Sequence, residues 1–167
     1  MHRPRRWYEG GGLVRHQYLI KTAPLHAKLD GVWAYSNVTA INPTATEVPS
    51  LGSTGDAVLH CETTLENEAA SAATGSISVT VFDASGKIVA TAKSSASSVP
   101  PNGGRTIVNA RMPITGAELW SVARPYLYTL QVKVLSATGT VVDTVNVTSG
   151  IRTVEFDADK GLLVSRF

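Results

Sequence analysis

The sequence predicts an all-β protein, an immunoglobulin-like antiparallel β-sandwich of about seven strands. Apolar and polar residues alternate through several short segments that are rich in β-branched residues. Clusters of Gly, Pro, Asp and Asn recur about every 8 to 15 residues, which is the spacing of turns between short strands. Helical periodicity is nearly absent, so helices are not expected to contribute to the core.

The predicted strands follow one another from Val32 onward. They span residues 32–38, 57–67, 76–82, 87–92, 106–112, 126–135, 141–147 and 150–156. Strict alternation in the second and third strands identifies one apolar face, which we expect to lie in the core. The residues on that face are Leu59, Cys61, Thr63, Leu65, Ile77, Val79 and Val81.

Turns and loops are predicted from small, polar and conformationally special residues. Turn clusters occupy residues 83–86, 100–104 and 136–139. Residues 69–75 and 94–98 are almost all Ala, Ser, Thr or Gly, so they are expected to be surface loops.

The charge pattern argues against a nucleic-acid partner. The 167-residue chain has a net charge of +2, and Arg3, Arg5 and Arg6 cluster near its N-terminus, where we expect a solvated tail. The remainder is close to neutral and offers no basic face. No segment reaches the roughly 18 apolar residues of a membrane span, and no apolar N-terminal segment predicts a signal peptide, so no membrane partner is expected.

The acidic residues do not suggest a catalytic pair. Glycosidic bond hydrolysis uses two carboxyl groups, one acid and one base or nucleophile. Most of the 13 acidic residues lie at turns or on predicted solvent faces. The full set is Glu9, Asp30, Glu47, Asp56, Glu62, Glu66, Glu68, Asp83, Glu118, Asp143, Glu155, Asp157 and Asp159. Asp157 and Asp159 are too few oxygen ligands for a calcium site. No catalytic residue is therefore predicted.

Cofactor and metal sites are not predicted either. No two of His2, His16, His26 and His60 have a metal-ligand spacing, so these histidines are expected to be ordinary surface or half-buried residues. Phosphate-loop, dinucleotide and nucleophile-elbow motifs are absent from the sequence. The single cysteine, Cys61, is expected to be a buried structural thiol. The segments Asn37-Val38-Thr39 and Asn146-Val147-Thr148 match the glycosylation pattern, but both lie in predicted strands.

Three segments together resemble glycoside hydrolase family 2, the group of β-galactosidases, β-mannosidases and β-glucuronidases. Residues 119–128, Leu-Trp-Ser followed by Arg-Pro-Tyr-Leu-Tyr, resemble a segment of the family's immunoglobulin-like domain. Residues 150–156, beginning Gly-Ile-Arg, resemble the strand that ends that domain. Residues 7–15, with Gly-Gly-Gly-Leu-Val-Arg, resemble the segment that closes the preceding sugar-binding jelly roll.

The resemblance implies a division of the chain. Residues 1–22 would be a remnant of the jelly roll, residues 24–156 the immunoglobulin-like domain, and residues 157–167 the lead-in to a missing catalytic barrel. The family's two catalytic glutamates lie in that barrel, so neither is carried over to a position here. The chain would then be a structural spacer, inactive alone, whose partners are the barrel and the jelly roll of the same enzyme.

The matched residues are expected to have structural roles. Trp120 can bury a large apolar area, Pro125 fixes φ at the entry to a strand, and Tyr126 and Tyr128 are expected to share a face. Arg15 and Arg152 suit contacts with carboxylates or carbonyls where domains meet. The alternative is an independent adhesion or ligand-binding module like fibronectin type III domains, which the jelly-roll segment argues against.

Overall fold

The computed structural model describes residues 15–42 and 53–164 of the chain. In these ranges the protein is all-β, and every pair of neighbouring strands is antiparallel. The strands are β1 (Leu25–Asn42), β2 (Thr54–Asn67), β3 (Ala73–Phe82), β4 (Ile88–Lys93), β5 (Ser97–Val99), β6 (Gly104–Glu118), β7 (Tyr128–Ser136), β8 (Val141–Ser149), β9 (Val154–Asp157) and β10 (Gly161–Val164). The predicted fold class is confirmed.

Two sheets make the sandwich. One has the order β1-β2-β6 and the other the order β4-β3-β7-β8, with β5 continuing along the same edge of β3 as β4. The strands of both sheets send alternate side chains inward, as the pleat requires. Their buried apolar residues form one cluster, and its largest fully buried members are Leu59, Leu65, Ile77, Met112, Leu119, Leu130 and Ile151.

The alternation in β2 and β3 is as predicted. All seven residues expected on the core face are fully buried. Thr63 is one of them although it is polar, and its hydroxyl lies 3.7 Å from the Cys61 thiol. Period-two patterning therefore located the inner faces of both sheets.

A side-chain contact joins the two sheets at one edge of the sandwich. The backbone N–H of Ala27 in β1 donates a 3.0 Å hydrogen bond to Oδ2 of Asp143 in β8. Ala27 is buried, and β1 is irregular beyond it, where pairing with β2 resumes only at Val32. Because β1 is an edge strand of its sheet, the carboxylate satisfies a backbone donor there and ties β1 to the other sheet.

The sequence-based start of β1, at Val32, was wrong. The strand begins at Leu25, and the residues between Ala27 and Val32 interrupt its register against β2. Asp30 has a positive φ of 55°, which turns the chain and breaks the side-chain alternation. An irregular segment of this kind hides the first part of a strand from pattern analysis.

Both predicted surface loops were partly wrong. Ala73, Thr74 and Gly75 belong to β3 and pair with β5, which contains Ser97 and Ser98. Gly75 is buried, and a side chain there would meet Leu65 and Leu25 at 2.9–3.2 Å. Small residues were taken for loop residues, whereas here they allow close approach of the strand to the core.

The other strand ends differ from the prediction by a few residues. β7 begins at Tyr128 rather than at residue 126. The predicted last strand, 150–156, is replaced by β9, which pairs with β10 as a separate two-stranded sheet. Residues 16–21, which look strand-like in the sequence, pair with no strand in the described part of the chain. Residues 7–14 of the jelly-roll-like segment lie outside the described residues.

Candidate functional site

The two family-like segments of the sequence meet at Trp120. The Trp120 N–H donates a 2.7 Å hydrogen bond to the carbonyl of Ile151, a fully buried residue. Just before it, Leu119 is fully buried and its N–H donates to the Ser53 carbonyl at 2.8 Å. The chain after β6 is thereby fixed to the chain after β8.

Gly150 and Arg152 both contact the Trp120 indole. A Cβ at position 150 would lie 2.8 Å from Cδ1 and 2.9 Å from Cγ of the ring, so the indole lies directly against the glycine backbone. The guanidinium carbon of Arg152 lies 5.0 Å from the ring centre, a cation–π distance. Trp120 is half-buried. Contact with its indole explains why position 150 is a glycine and position 152 an arginine.

Tyr126 and Tyr128, which were expected to share a face, contact each other, with ring centres 5.1 Å apart and planes 60° apart. Tyr128 Oη accepts a 2.8 Å hydrogen bond from the Glu118 N–H, and Tyr126 Oη accepts one of 3.3 Å from the Ala84 N–H. Burial raises the pKa of the Tyr128 phenol to about 12. The Glu118 side chain pairs with Arg124 at 3.1 Å.

A groove of about 510 Å³ lies beside this joint, between β1 and the end of β8. Its lining combines aromatic, hydroxyl and cationic side chains with backbone: Trp33, Ala34, Tyr35, Ser36, Thr148, Ser149, Gly150, Arg152 and Val154. Two aromatic residues line the groove, Trp33 and Tyr35. Trp33, the larger of them, is 62% exposed. The exposed indole and its neighbouring polar groups make this groove a candidate contact surface.

The aromatic rings beside the groove form a compact group. The Tyr35 ring centre lies 4.6 Å from that of Trp33 and 4.8 Å from that of His60, to which it is nearly parallel. The Tyr35 hydroxyl donates to Glu62 Oε1 at 3.3 Å. Desolvation and then the Glu62 carboxylate raise the pKa of Tyr35. The sequence showed Trp33 and Tyr35 as strand residues, but only the pairing of β1 with β2 brings His60 to them.

Several carboxylates have structural partners. Asp83 Oδ1 accepts hydrogen bonds from the N–H groups of Ser85 and Lys87 and from the Ser85 hydroxyl, which lower its pKa. Asp157 Oδ1 accepts from the N–H groups of Asp159 and Lys160 in the turn between β9 and β10. Both residues act as turn caps.

Two further carboxylates hold backbone groups of other strands. Asp56 Oδ1 accepts from the Gly116 N–H at 2.9 Å, and Asp143 accepts from Ala27 as described above. Asp83 and Glu118 line a second groove, of about 400 Å³, but Asp83 is held by its turn and Glu118 by Arg124. Their geometry supports the strand connections rather than acid–base chemistry.

The histidines and the cysteine lie apart. His26 is buried, with Nδ1 3.0 Å from the Ala23 carbonyl oxygen, whereas a surface or half-buried position was expected. Cys61 is buried, as predicted, and burial raises the pKa of its thiol. Within residues 15–42 and 53–164, three or more His, Cys, Asp or Glu side chains do not come together as a metal-binding group.

The glycosylation-like asparagines are on strands, as predicted. Asn37 is in β1 and Asn146 in β8, and both are exposed. Over the described residues, no helix has the length and apolarity needed to cross a membrane.

Asn67 is a structural residue that sequence analysis missed. It is fully buried at the end of β2, where Nδ2 donates to the carbonyls of Ser71 and Val99 and Oδ1 accepts from the Ala69 N–H. The sequence could have indicated this burial, because Asn67 lies two residues after Leu65 on the inward face of β2. A polar residue at a core position has to find partners in the protein.

Comparison with known proteins points in one direction. The model of the family described as "Glycosyl hydrolases family 2" matches residues 40–152. A curated relative, beta-galactosidase BoGH2A of Bacteroides ovatus, is 30% identical over 161 residues, which are 96% of this chain and 17% of the relative. The chain therefore spans about one sixth of that relative's length.

Solved structures show the same fold. A β-glucuronidase from glycoside hydrolase family 2 aligns with a TM-score of 0.67 and 24% identity over 86% of this chain and 14% of its own. A putative β-galactosidase from Bacteroides fragilis aligns with a TM-score of 0.63 and 21% identity over 86% of this chain and 20% of its own. The family match covers most of the sandwich, from the end of β1 to the Trp120–Arg152 joint, and this chain belongs to glycosyl hydrolases family 2.

Proposed function

We propose that this chain is the non-catalytic β-sandwich domain of a β-galactosidase-like glycoside hydrolase. It acts as a structural spacer that holds a sugar-binding jelly roll and a catalytic barrel in fixed positions. β-Galactosidase is favoured because the curated relative carries that name and is 30% identical over nearly the whole chain.

The observation that carries the proposal is the joint at Trp120. One segment leaves β6 and the other leaves β8, and the indole, Gly150 and Arg152 fix the two to each other. A spacer must hold its connections at a defined angle, and a packed aromatic joint does so at little entropic cost. The carboxylates, by contrast, support the strand connections rather than acid–base chemistry. Four of them accept hydrogen bonds from backbone N–H groups, namely those of Asp56, Asp83, Asp143 and Asp157.

Residues outside the sandwich support the proposed domain division. Tyr18 and Leu19 are 82% and 99% exposed in a segment that pairs with no described strand. Apolar side chains of this kind are expected to be covered when the neighbouring domain is present. We assign residues 1–22 to the jelly roll, 24–156 to the sandwich and 157–167 to the lead-in to the barrel.

The first test is an activity assay on the purified 167-residue chain. We expect no turnover of chromogenic β-galactosides, β-mannosides or β-glucuronides above the blank. A Leu59→Ala variant, whose core is weakened, serves as the control for contamination. This variant should unfold at a lower temperature than the unaltered chain. Turnover that copurifies with the chain, and that the variant loses at its own lower unfolding temperature, would refute a non-catalytic role.

The second test asks whether the chain works as a spacer. In a chimera, this chain replaces the 161 matched residues of the Bacteroides ovatus enzyme. We expect the chimera to hydrolyse a chromogenic β-galactoside, and a version with the segment deleted to be inactive. An inactive but folded chimera would contradict the proposed role.

A further inference from the structure

The outer face of the β1-β2-β6 sheet carries an exposed row of rings. Val32 and Ala34 of β1 pack against the core, so the alternation of the strand turns Trp33 and Tyr35 outward. His60 of β2 is paired with Tyr35 and continues the row. Trp33 ends the row and is 62% exposed. Packing of the sandwich core therefore does not explain the indole at this position.

Polar side chains hold the other two rings of the row in one orientation. The Tyr35 hydroxyl donates to Glu62 Oε1 at 3.3 Å, and Glu62 is the residue paired with Trp33 across the two strands. Asn37 Nδ2 lies 3.5 Å from His60 Nε2. The planes of the Tyr35 and His60 rings are 3° apart. A surface that is ordered before its ligand arrives loses little conformational entropy on binding.

The groove beside Trp33 has a mostly polar lining. Ser36, Thr148 and Ser149 contribute hydroxyl groups, and Arg152 contributes a guanidinium. Asp and Glu are absent among the described residues that line it. Its volume of about 510 Å³ is within the roughly 300–1,000 Å³ of small-molecule sites. The groove thus offers several hydrogen-bonding groups beside one broad aromatic ring.

We propose that this groove binds a saccharide, with a pyranose ring stacked on the Trp33 indole. The C–H bonds on one side of a pyranose form an apolar face with a slight positive charge, which the electron-rich face of an indole attracts. The hydroxyl groups at the rim of the sugar point sideways, where Ser36, Thr148 and Ser149 line the groove. Serine and threonine hydroxyls both donate and accept, which matches a ligand whose own hydroxyls do both. Because a spacer needs no ligand of its own, the inference goes beyond the proposed function.

An apolar protein segment fits the groove less well than a sugar does. It would cover Thr148, Ser149 and Arg152 without giving their polar groups partners, and burying unpaired polar groups weakens binding. A saccharide offers partners to all three. Arg152 donates either to ring hydroxyls or, through two parallel N–H groups, to a carboxylate substituent. The expected ligand is therefore a pyranose chain, neutral or acidic.

The test is affinity electrophoresis of the 167-residue chain in native gels. The gels contain a neutral β-1,4-galactan or polygalacturonate, and a gel without polysaccharide is the reference. We expect at least one of the two to retard the unaltered chain, and Trp33→Ala to weaken that binding by about tenfold or more. Trp33→Phe, which keeps an aromatic face, should lose less. Ile107→Ala is the matched control, because Ile107 is 61% exposed on the same sheet, and its retardation should be unchanged.

Three outcomes would overturn the proposal, once melting curves show that each variant is folded. Unretarded migration of the unaltered chain in both gels would exclude a saccharide site. Equal retardation of Trp33→Ala and the unaltered chain would exclude stacking on the indole. Retardation by polygalacturonate alone that vanishes in about 0.3 M NaCl would identify unspecific attraction between a polyanion and a basic chain. Retardation that persists in salt and depends on Trp33 would identify the acidic form of the ligand.

The chimera with the Bacteroides ovatus enzyme shows whether the groove stays open in a whole enzyme. We expect the retarding polysaccharide to slow the chimera more than its Trp33→Ala version. Retardation that no longer depends on Trp33 would mean that another domain covers the groove, which would overturn the site in the assembled protein. An inactive chimera would contradict the spacer role alone, because the gels of the isolated chain decide the saccharide site.

Discussion

The phenol oxygen of Tyr128 accepts a 2.8 Å hydrogen bond from the backbone N–H of Glu118. The bond ties the first residue of β7 to the last residue of β6, across the segment that contains Trp120. Tyr128 is almost fully buried, so the oxygen depends on this donor. The arrangement resembles the tyrosine corner of immunoglobulin-like sandwiches, in which a tyrosine near the start of a strand binds the backbone upstream.

Removing this hydroxyl should destabilise the sandwich. Tyr128→Phe leaves the Glu118 N–H without its acceptor and is expected to lower the free energy of unfolding by about 1–3 kcal/mol in urea denaturation. Tyr126→Phe is the control, because its bond to Ala84 is longer, at 3.3 Å, and more exposed. Equal losses in the two variants would show that the corner has no special role.

The same phenol should make stability depend on alkaline pH. Burial raises the pKa of Tyr128 from 10 to about 12, so the folded state keeps the proton where the unfolded chain has lost it. The contribution to stability is complete below pH 10 and is lost as the pH rises from 10 towards 12. Urea denaturation at pH 9 and pH 11.5 should show a smaller fall for Tyr128→Phe than for the unaltered chain. Identical falls would exclude Tyr128 as the titrating group.

A methyl group at position 150 should disturb the joint. Gly150→Ala places a Cβ within 3.0 Å of three Trp120 side-chain atoms, and we expect a loss of about 1–3 kcal/mol from the displaced indole. The cost should shrink in a Trp120→Ala background, where the clash is gone. A double-mutant cycle measured by thermal unfolding gives the coupling, and additive effects would contradict direct contact.

Asn67 should be one of the most sensitive polar positions. Its amide makes three hydrogen bonds to the segment that leads from β2 to β3 and to β5, and Asn67→Ala leaves those backbone groups unsatisfied. We expect a loss of about 2–4 kcal/mol in urea denaturation. Asn109→Ala, on the exposed face of β6, is the control and should change stability by less than about 0.5 kcal/mol. Similar small effects at both positions would refute the role of Asn67.

The thiol of Cys61 should be inert while the chain is folded. It is fully buried, and burial raises its pKa, so little thiolate is present at neutral pH. A thiol reagent such as Ellman's reagent should label the chain only after denaturant is added. Rapid labelling of the native protein would mean that β2 opens readily.

Regular strand patterning was enough to predict the fold class. Leu59, Cys61, Ile77 and Val79 are buried as expected, because side chains of a strand alternate between two faces and one face of each sandwich sheet packs on the core. The family resemblance came from short segments with unusual residues, and the family match confirms it. The domain boundaries and the roles of Arg15 remain predictions.

Local irregularity and distant contacts were not predictable in the same way. The interruption of β1 around Asp30 breaks the alternation that pattern analysis needs. Gly75 looked like a loop residue, because the close packing that requires a glycine there involves Leu65, which lies in another strand. The stack of His60 on Tyr35 depends on the register between β1 and β2, which no single strand contains.

The sequence by itself predicted the β-sandwich, since alternation and turn residues act over a few neighbouring positions, and three short segments carried the resemblance to a glycoside hydrolase family. Only the tertiary structure decided that Trp120, Gly150 and Arg152 form one joint. It also decided that Trp33, Tyr35 and His60 form one row of rings beside a groove. Those relationships join residues far apart in the chain, and strand pairing and packing, rather than local propensity, bring them together.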